Sequence, residues 1–170
     1  MIPRDIIYDT ELGQNRVITF SFFALKRSLD DTVGFSCDSL VQWCGYKPNY
    51  NKGKTNENFT KIIQHLKSKD YIEIINLNDK NIFSEIRINH DKFDIGSQFA
   101  LVYLDEINRI KCYKQHKIGL PILLLVLSYL RVNMLRRQDK YIGKLSDKPE
   151  FCFRMYIDIE KDIGLSNRYI

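Results

Sequence analysis

The sequence predicts an α+β protein, mostly helical, and three observations carry the prediction. The 170 residues are 44% hydrophobic and 28% charged, the balance of a soluble chain with a real core rather than of a disordered or fibrous one. Between Phe35 and Ile88, two stretches with apolar residues at helical spacing precede two short runs of strand formers around a polar turn. Beyond Tyr103 the patterns are helical again. The central order, helix, turn, helix and two-stranded ribbon, is that of a winged helix-turn-helix. The Asp94-Ile95-Gly96-Ser97 stretch marks a change of character. The expected organisation is a winged helix-turn-helix over 1–95 and a second, incomplete winged-helix-like unit over 99–170.

Taken in order, Ile2 to Tyr8 reads as extended, because Pro3 disfavours a helix, and Thr10 or Asn15 offers a cap for the next helix. Val17 to Leu29 is apolar around most of a helix, which predicts an element packed on several sides. Asp30 to Gly34 ends it. Ser36 is a suitable N-cap for a short helix to Cys44, and Gly45 supplies the permissive backbone at its end. A polar, basic linker from Lys47 to Thr55 leads to a helix over Asn56 to Lys69. Tyr71 to Ile75 and Ile82 to Ile88 read as strands around a turn with Lys80 at its tip.

In the carboxyl half, Asp105 is expected to cap a helix through Lys111, and Gly119-Leu120-Pro121 to open a long one running to Arg137. The arginines at its end, Arg131, Arg136 and Arg137, read as solvated charge complementing the helix dipole. The apolar run from Ile118 to Leu130 is shorter than the roughly 20 residues a bilayer requires. It therefore predicts a buried helix and no membrane partner. Tyr156 to Ile163 reads as a last helix, and Gly164-Leu165-Ser166-Asn167-Arg168-Tyr169-Ile170 resembles the passage into a second recognition helix, so that either a fragment of a longer protein, the favoured expectation, or a vestigial half-motif is expected.

The helix over Asn56 to Lys69 carries the functional expectation. Phe59, Ile62, Ile63 and Leu66 share its inner face, so Glu57, Thr60, Lys61, Gln64 and Ser68 share the outer one, flanked by Asn58 and His65. Gln and Asn pair with adenine and Lys with guanine in the major groove of double-stranded DNA. The candidate contacts are Lys52, Lys54, Asn58, Thr60, Lys61 and Gln64, with Lys80 and Arg87 on the ribbon. A net charge of +5 suits a polyanionic partner without demanding one.

Catalytic patterns are missing. Gly53-Lys54-Thr55 lacks the glycine five residues earlier that a phosphate-binding loop needs, since Pro48 stands there, and a helix rather than a strand precedes it. His65, His90 and His116 are scattered and read as surface residues. The absence of an HxH pattern argues against a nicking enzyme using one of the ten tyrosines. The four cysteines, Cys37, Cys44, Cys112 and Cys152, have no metal-site spacing and are expected as reduced thiols in a cytoplasmic protein. The amino terminus lacks a charged start and apolar core of the kind that directs secretion. No enzyme activity, cofactor or metal is expected.

Ile2-Pro3-Arg4-Asp5-Ile6-Ile7, the helix from Val17 to Arg27, Leu40-Val41-Gln42-Trp43-Cys44-Gly45-Tyr46 and Phe59 to Ile72 together resemble the amino-terminal winged helix of plasmid and phage replication initiators and replisome organisers, the RepA_N-like and DnaD-like proteins. The resemblance covers about the first hundred residues and is one of pattern. It implies origin binding by a bacterial mobile-element protein that forms homodimers or larger assemblies and recruits replication proteins. The basic linker is longer than in the tightest examples. A winged-helix transcriptional regulator, and an interaction module that does not read DNA, are the alternative expectations.

Overall fold

Helix α2 (Arg16–Lys26) has eight consecutive buried residues, Arg16 to Phe23, so the other elements are best described by where they lie against it. The computed structural model describes residues 1–78, 82–89, 91, 99–112, 119–133 and 156–165. These form an α+β structure, 56% helical, with seven α-helices and two small antiparallel sheets, as the composition and periodicity imply.

The chain begins with strand β1 (Ile2–Pro3) and turns at once into α1 (Arg4–Tyr8), so the expected extended stretch is confined to two residues. Pro3, at φ −59°, sits at the N-cap, where its missing N–H removes no helical hydrogen bond. Asp9 caps a 3-10 turn (Thr10–Leu12), and Thr10 therefore lies inside that turn rather than capping α2. Asn15 does hold the N-cap position of α2, yet its side-chain oxygen accepts from the Tyr46 hydroxyl instead (2.9 Å).

Helix α2 stops at Lys26, three residues before the apolar pattern does, and Leu29 is fully exposed. The Ser28 hydroxyl bonds Asp30 and Thr32, and the Ser28 amide donates to the Thr32 carbonyl (2.8 Å). Such local side-chain bonds compete with the helix ladder and favour a turn. Strand β2 (Thr32–Ser36) then replaces the simple helix end that the sequence predicts. Val33 and Phe35 point into the core, while Gly34 lies under the Phe83 ring; a Cβ on Gly34 would stand 2.8 Å from that ring.

Ser36 caps α3 (Cys37–Trp43) through a reciprocal box with Ser39, as its position predicts. Gly45, at φ +88°, closes the helix with the Tyr46 amide reaching back to the Val41 carbonyl (3.0 Å). Helix α4 (Thr55–Ser68) buries Asn56, Phe59, Ile62, Ile63 and Leu66. Strands β3 (Ile72–Asn76) and β4 (Phe83–Ile88) form the expected hairpin, and β2 pairs with β4 to give the order β2-β4-β3. Phe22, Phe23, Phe35 and Trp43 fill the junction of α2, β2 and α3, with ring centroids 5.3 to 6.1 Å apart.

Strand β5 (Phe99–Ala100) pairs with β1. Helix α5 (Leu104–Cys112) starts one residue before Asp105, because Glu106 provides the cap by accepting from the Tyr103 amide (2.9 Å). Helix α6 (Leu120–Val132) lies along α2 and α1 with Pro121 in its first turn. Arg131 is not merely solvated, since its guanidinium holds both carboxylate oxygens of Glu106. Helix α7 (Tyr156–Ile163) packs on α1 and ends at Gly164, φ +68°. Buried side chains from 2–88 and from 100–165 belong to one hydrophobic core. Among the described residues no helix is long and apolar enough to cross a membrane. The Asp94 to Ser97 boundary, Lys80, His90, His116, Arg136, Arg137, Cys152 and the start of the second recognition helix after Leu165 lie outside the described residues.

Candidate nucleic-acid interface

The amphipathic pattern of α4 decides which side chains reach solvent. With Phe59, Ile63 and Leu66 wholly buried, Asn58, Lys61, Gln64 and Lys67 are exposed on the other side, and Thr60 is half-buried. The lead-in loop presents Lys52 and Lys54 at the amino end of the same helix, both exposed. It is anchored from below. The buried Asn56 accepts from the Asn49 amide and donates to Asp38 on α3, each at 2.8 Å, so the loop is held to both helices. Gly53 turns it at φ +72° and donates its amide to the Glu57 carboxylate (2.5 Å).

These contacts divide the predicted residues into two groups. Lys52, Lys54, Asn58 and Gln64 make no side-chain hydrogen bond or ion pair among the described residues and stand ready for an external partner. Lys61 instead holds Glu57 across one helical turn (2.7 Å), and this bond to Lys61, with the Gly53 amide, keeps the Glu57 carboxyl below its ordinary range. The Thr60 hydroxyl donates to its own helix at the Asn56 carbonyl (3.1 Å), as threonines in helices often do.

Arg87 belongs elsewhere. On β4 it pairs with Glu73 of β3 (3.1 Å) and lines a cleft of about 560 Å³ with Lys67, Asp31, Asp70 and Asp91. That cleft is acidic on balance. The sequence-predicted set therefore meets along α4 and its lead-in but not on the strands, and Lys80, expected at the ribbon tip, is outside the described residues.

Two contributors to this surface carry no signal in the sequence. Asp9 and Glu11, from the 3-10 turn, lie against the side of α4 at His65, whose Nε2 is 3.1 Å from Asp9 and 3.6 Å from Glu11. His65 is consequently half-buried rather than a free surface histidine. A cleft of about 390 Å³ opens beside it between Gln14, Asn15, Asn58 and Lys61. No periodicity in α4 signals a neighbour more than fifty residues earlier in the chain.

Behind them sits Arg16, 1% exposed, whose place in the sequence marks it only as the residue preceding an apolar helix. Its Nε and Nη2 donate to the Ile7 carbonyl (3.1 and 2.7 Å), Nη1 to Gly13 (2.6 Å) and Nη2 to Ile163 (2.9 Å). A cation is stabilised there by the carbonyl ends of α1 and α7. Burial lowers its pKa to about 10, with Asp9 acting in the opposite sense. Arg16 thereby fixes the turn that carries Asp9 and Glu11 toward α4.

Cys37 and Cys44 are buried free thiols and Cys112 is an exposed one. Burial pushes the Cys44 thiol well up, which makes it inert as a nucleophile. No protein-family model, curated protein or solved structure matches the chain.

Proposed function

We propose that the segment from α2 to β4 is a winged helix-turn-helix that binds double-stranded DNA, with α4 entering the major groove. The observation that carries this reading is the conjunction of element order with the free face of α4. Helix α2, strand β2, helices α3 and α4, then a hairpin whose second strand pairs back onto β2, is the connectivity such a unit requires. Asn58 and Gln64 on the outer side of α4 are amide side chains able to pair with adenine in the groove. Lys52 and Lys54 would meet the flanking phosphates. Arg87, tied to Glu73, has no part in this proposal, and the half-buried Thr60 contributes at most through its methyl group.

As a role, we infer a replication initiator of a mobile element, resting on the family resemblance in the amino-terminal half. Selection of bound sequences from a random duplex pool separates this from a transcriptional regulator. Clustered direct repeats support an initiator, and a single palindrome supports a regulator.

The DNA reading is tested by measuring affinity against salt for the wild type, Lys54→Ala and Gln64→Ala. Each phosphate contact removed should lower the slope of log K against log salt by about 0.9. Lys54→Ala is expected to show this, whereas Gln64→Ala should lose discrimination between sequences and keep the slope. Unchanged affinity and slope in both variants refutes the docking. One observation favours a second reading, a module that binds protein instead. Glu57, Asp9 and Glu11 surround the α4 face with negative charge, and Glu57 already occupies Lys61. Absence of any duplex binding at low salt would support that reading.

A further inference from the structure

We propose that Asp9, Glu11 and His65 form a binding site for one divalent transition-metal ion of the zinc class, joining the amino-terminal turn to the side of α4. The three side chains come from two elements separated by more than fifty residues, yet each offers a ligand atom within 4.8 Å of the other two. Asp9 is set by its capping role, since Oδ1 accepts from the Glu11 amide (3.2 Å) and Oδ2 is left directed at His65. Glu11, on the next residue but one, swings its carboxylate to the same imidazole nitrogen.

The spacing suits the ion. Zinc holds imidazole nitrogen and carboxylate oxygen at about 2.0–2.2 Å, so neighbouring ligands in a tetrahedron are about 3.3 Å apart. The separations from His65 Nε2, 3.1 Å to Asp9 and 3.6 Å to Glu11, bracket that value. An imidazole–carboxylate hydrogen bond accounts for Asp9, whereas Glu11 approaches the same nitrogen at 3.6 Å with the half-exposed Lys69 at 3.9 Å as its other partner. Calcium and magnesium prefer larger all-oxygen sets, whereas one nitrogen and two oxygens suit zinc and its first-row neighbours. The adjoining cleft of about 390 Å³ leaves room for water as the fourth ligand.

Charge points the same way. Of the nearby cations, Lys61 is held by Glu57, and Arg16 spends its donors on three carbonyls although its charge faces Asp9. Lys69, half-exposed and 3.9 Å from Glu11, is the remaining cation paired with the triad among the described residues. A divalent ion would neutralise both carboxylates and pin the turn against α4. This inference rests on the triad's geometry and not on the DNA reading.

The test is titration of the chelator-treated full chain with zinc chloride by calorimetry and with cobalt(II) chloride by visible absorption. The expected result is one ion per chain, with affinity reduced at least about tenfold in His65→Ala, Asp9→Asn and Glu11→Gln and unchanged in Cys112→Ser. Zinc should also raise the thermal midpoint of the wild type, and by less that of Glu11→Gln. Glu11 is 71% exposed, so this variant tests the site without endangering the fold. Absence of zinc binding, equal binding in Glu11→Gln, or loss of binding in Cys112→Ser overturns the proposal.

Discussion

Replacing Arg16 with Met is expected to destabilise the protein by about 3 kcal/mol, and the structure supplies the terms. The change keeps the aliphatic stem and removes four hydrogen bonds to the carbonyls of Ile7, Gly13 and Ile163. The side chain is 1% exposed and its bonds to Ile7 and Ile163 are buried, so water cannot take over those two acceptors, whereas Gly13 is exposed. Each carbonyl stranded in this way costs about 1–3 kcal/mol, or about 6 kcal/mol for the two at the top of the range, since both lose a charged donor. Relief of the buried cation offsets part of it, because the fall in its pKa from 12.5 to about 10 corresponds to about 3 kcal/mol. Urea unfolding followed by circular dichroism measures the balance. With a slope of about 2 kcal/mol per molar, the midpoint should drop by about 1.5 M. Arg16→Lys should behave much like Arg16→Met, because a single ammonium cannot span three carbonyls that the guanidinium fork reaches together. A midpoint within about 0.3 M of wild type in Arg16→Met, at unchanged slope, would refute the reasoning.

Asn56→Ala removes a buried amide that joins the lead-in loop to α3 and α4, so a loss of about 2 kcal/mol in the same assay is expected, with greater proteolysis of the loop; a change below about 0.5 kcal/mol would contradict the anchoring role. Asp70 holds φ +67° at the end of α4, and Asp70→Gly is expected to stabilise by about 0.5–1 kcal/mol, read as a raised thermal midpoint. Arg131, bound to Glu106, holds that carboxyl below its ordinary value of 4.5. The pair's contribution, up to about 1 kcal/mol, is thus present above that value and lost as pH falls through the lower folded one. The stability gap between wild type and Glu106→Gln should accordingly narrow as the pH is lowered below 4.5, and a gap that does not narrow on acidification rules the pair out as its source. Finally, Glu57→Gln should strengthen duplex binding severalfold by releasing Lys61 and removing a negative charge from the α4 face; weaker binding would count against α4 as the contact.

Helices α2 to α7 and the hairpin are legible in the sequence because each rests on a local signal, whereas α1 forms in a stretch whose Pro3 predicts extended chain. Phe59, Ile62, Ile63 and Leu66 announce α4 by spacing alone, Ser36 announces the start of α3, and alternating strand formers announce β3 and β4. Strand β2 is not legible, since five residues with a central glycine carry too short a pattern. Its pairing energy comes from β4, about fifty positions later. The end of α2 departs from its pattern for a related reason, as the bonds among Ser28, Asp30 and Thr32 outweigh the apolar periodicity that runs on to Leu29.

The candidate surface divides along the same line. Local periodicity is enough to determine that Asn58, Lys61 and Gln64 share the outer side of a helix, because a helix fixes the direction of every side chain from its position. Which of them remain free is decided only in three dimensions: Lys61 is taken by Glu57, Arg87 by Glu73, and His65 by Asp9 and Glu11. Buried Arg16 shows the limit most clearly. Nothing in the residues around it distinguishes it from a solvated arginine at the start of a helix. Its role arises because three carbonyls, one of them 147 positions away, converge on a side chain from which water is excluded.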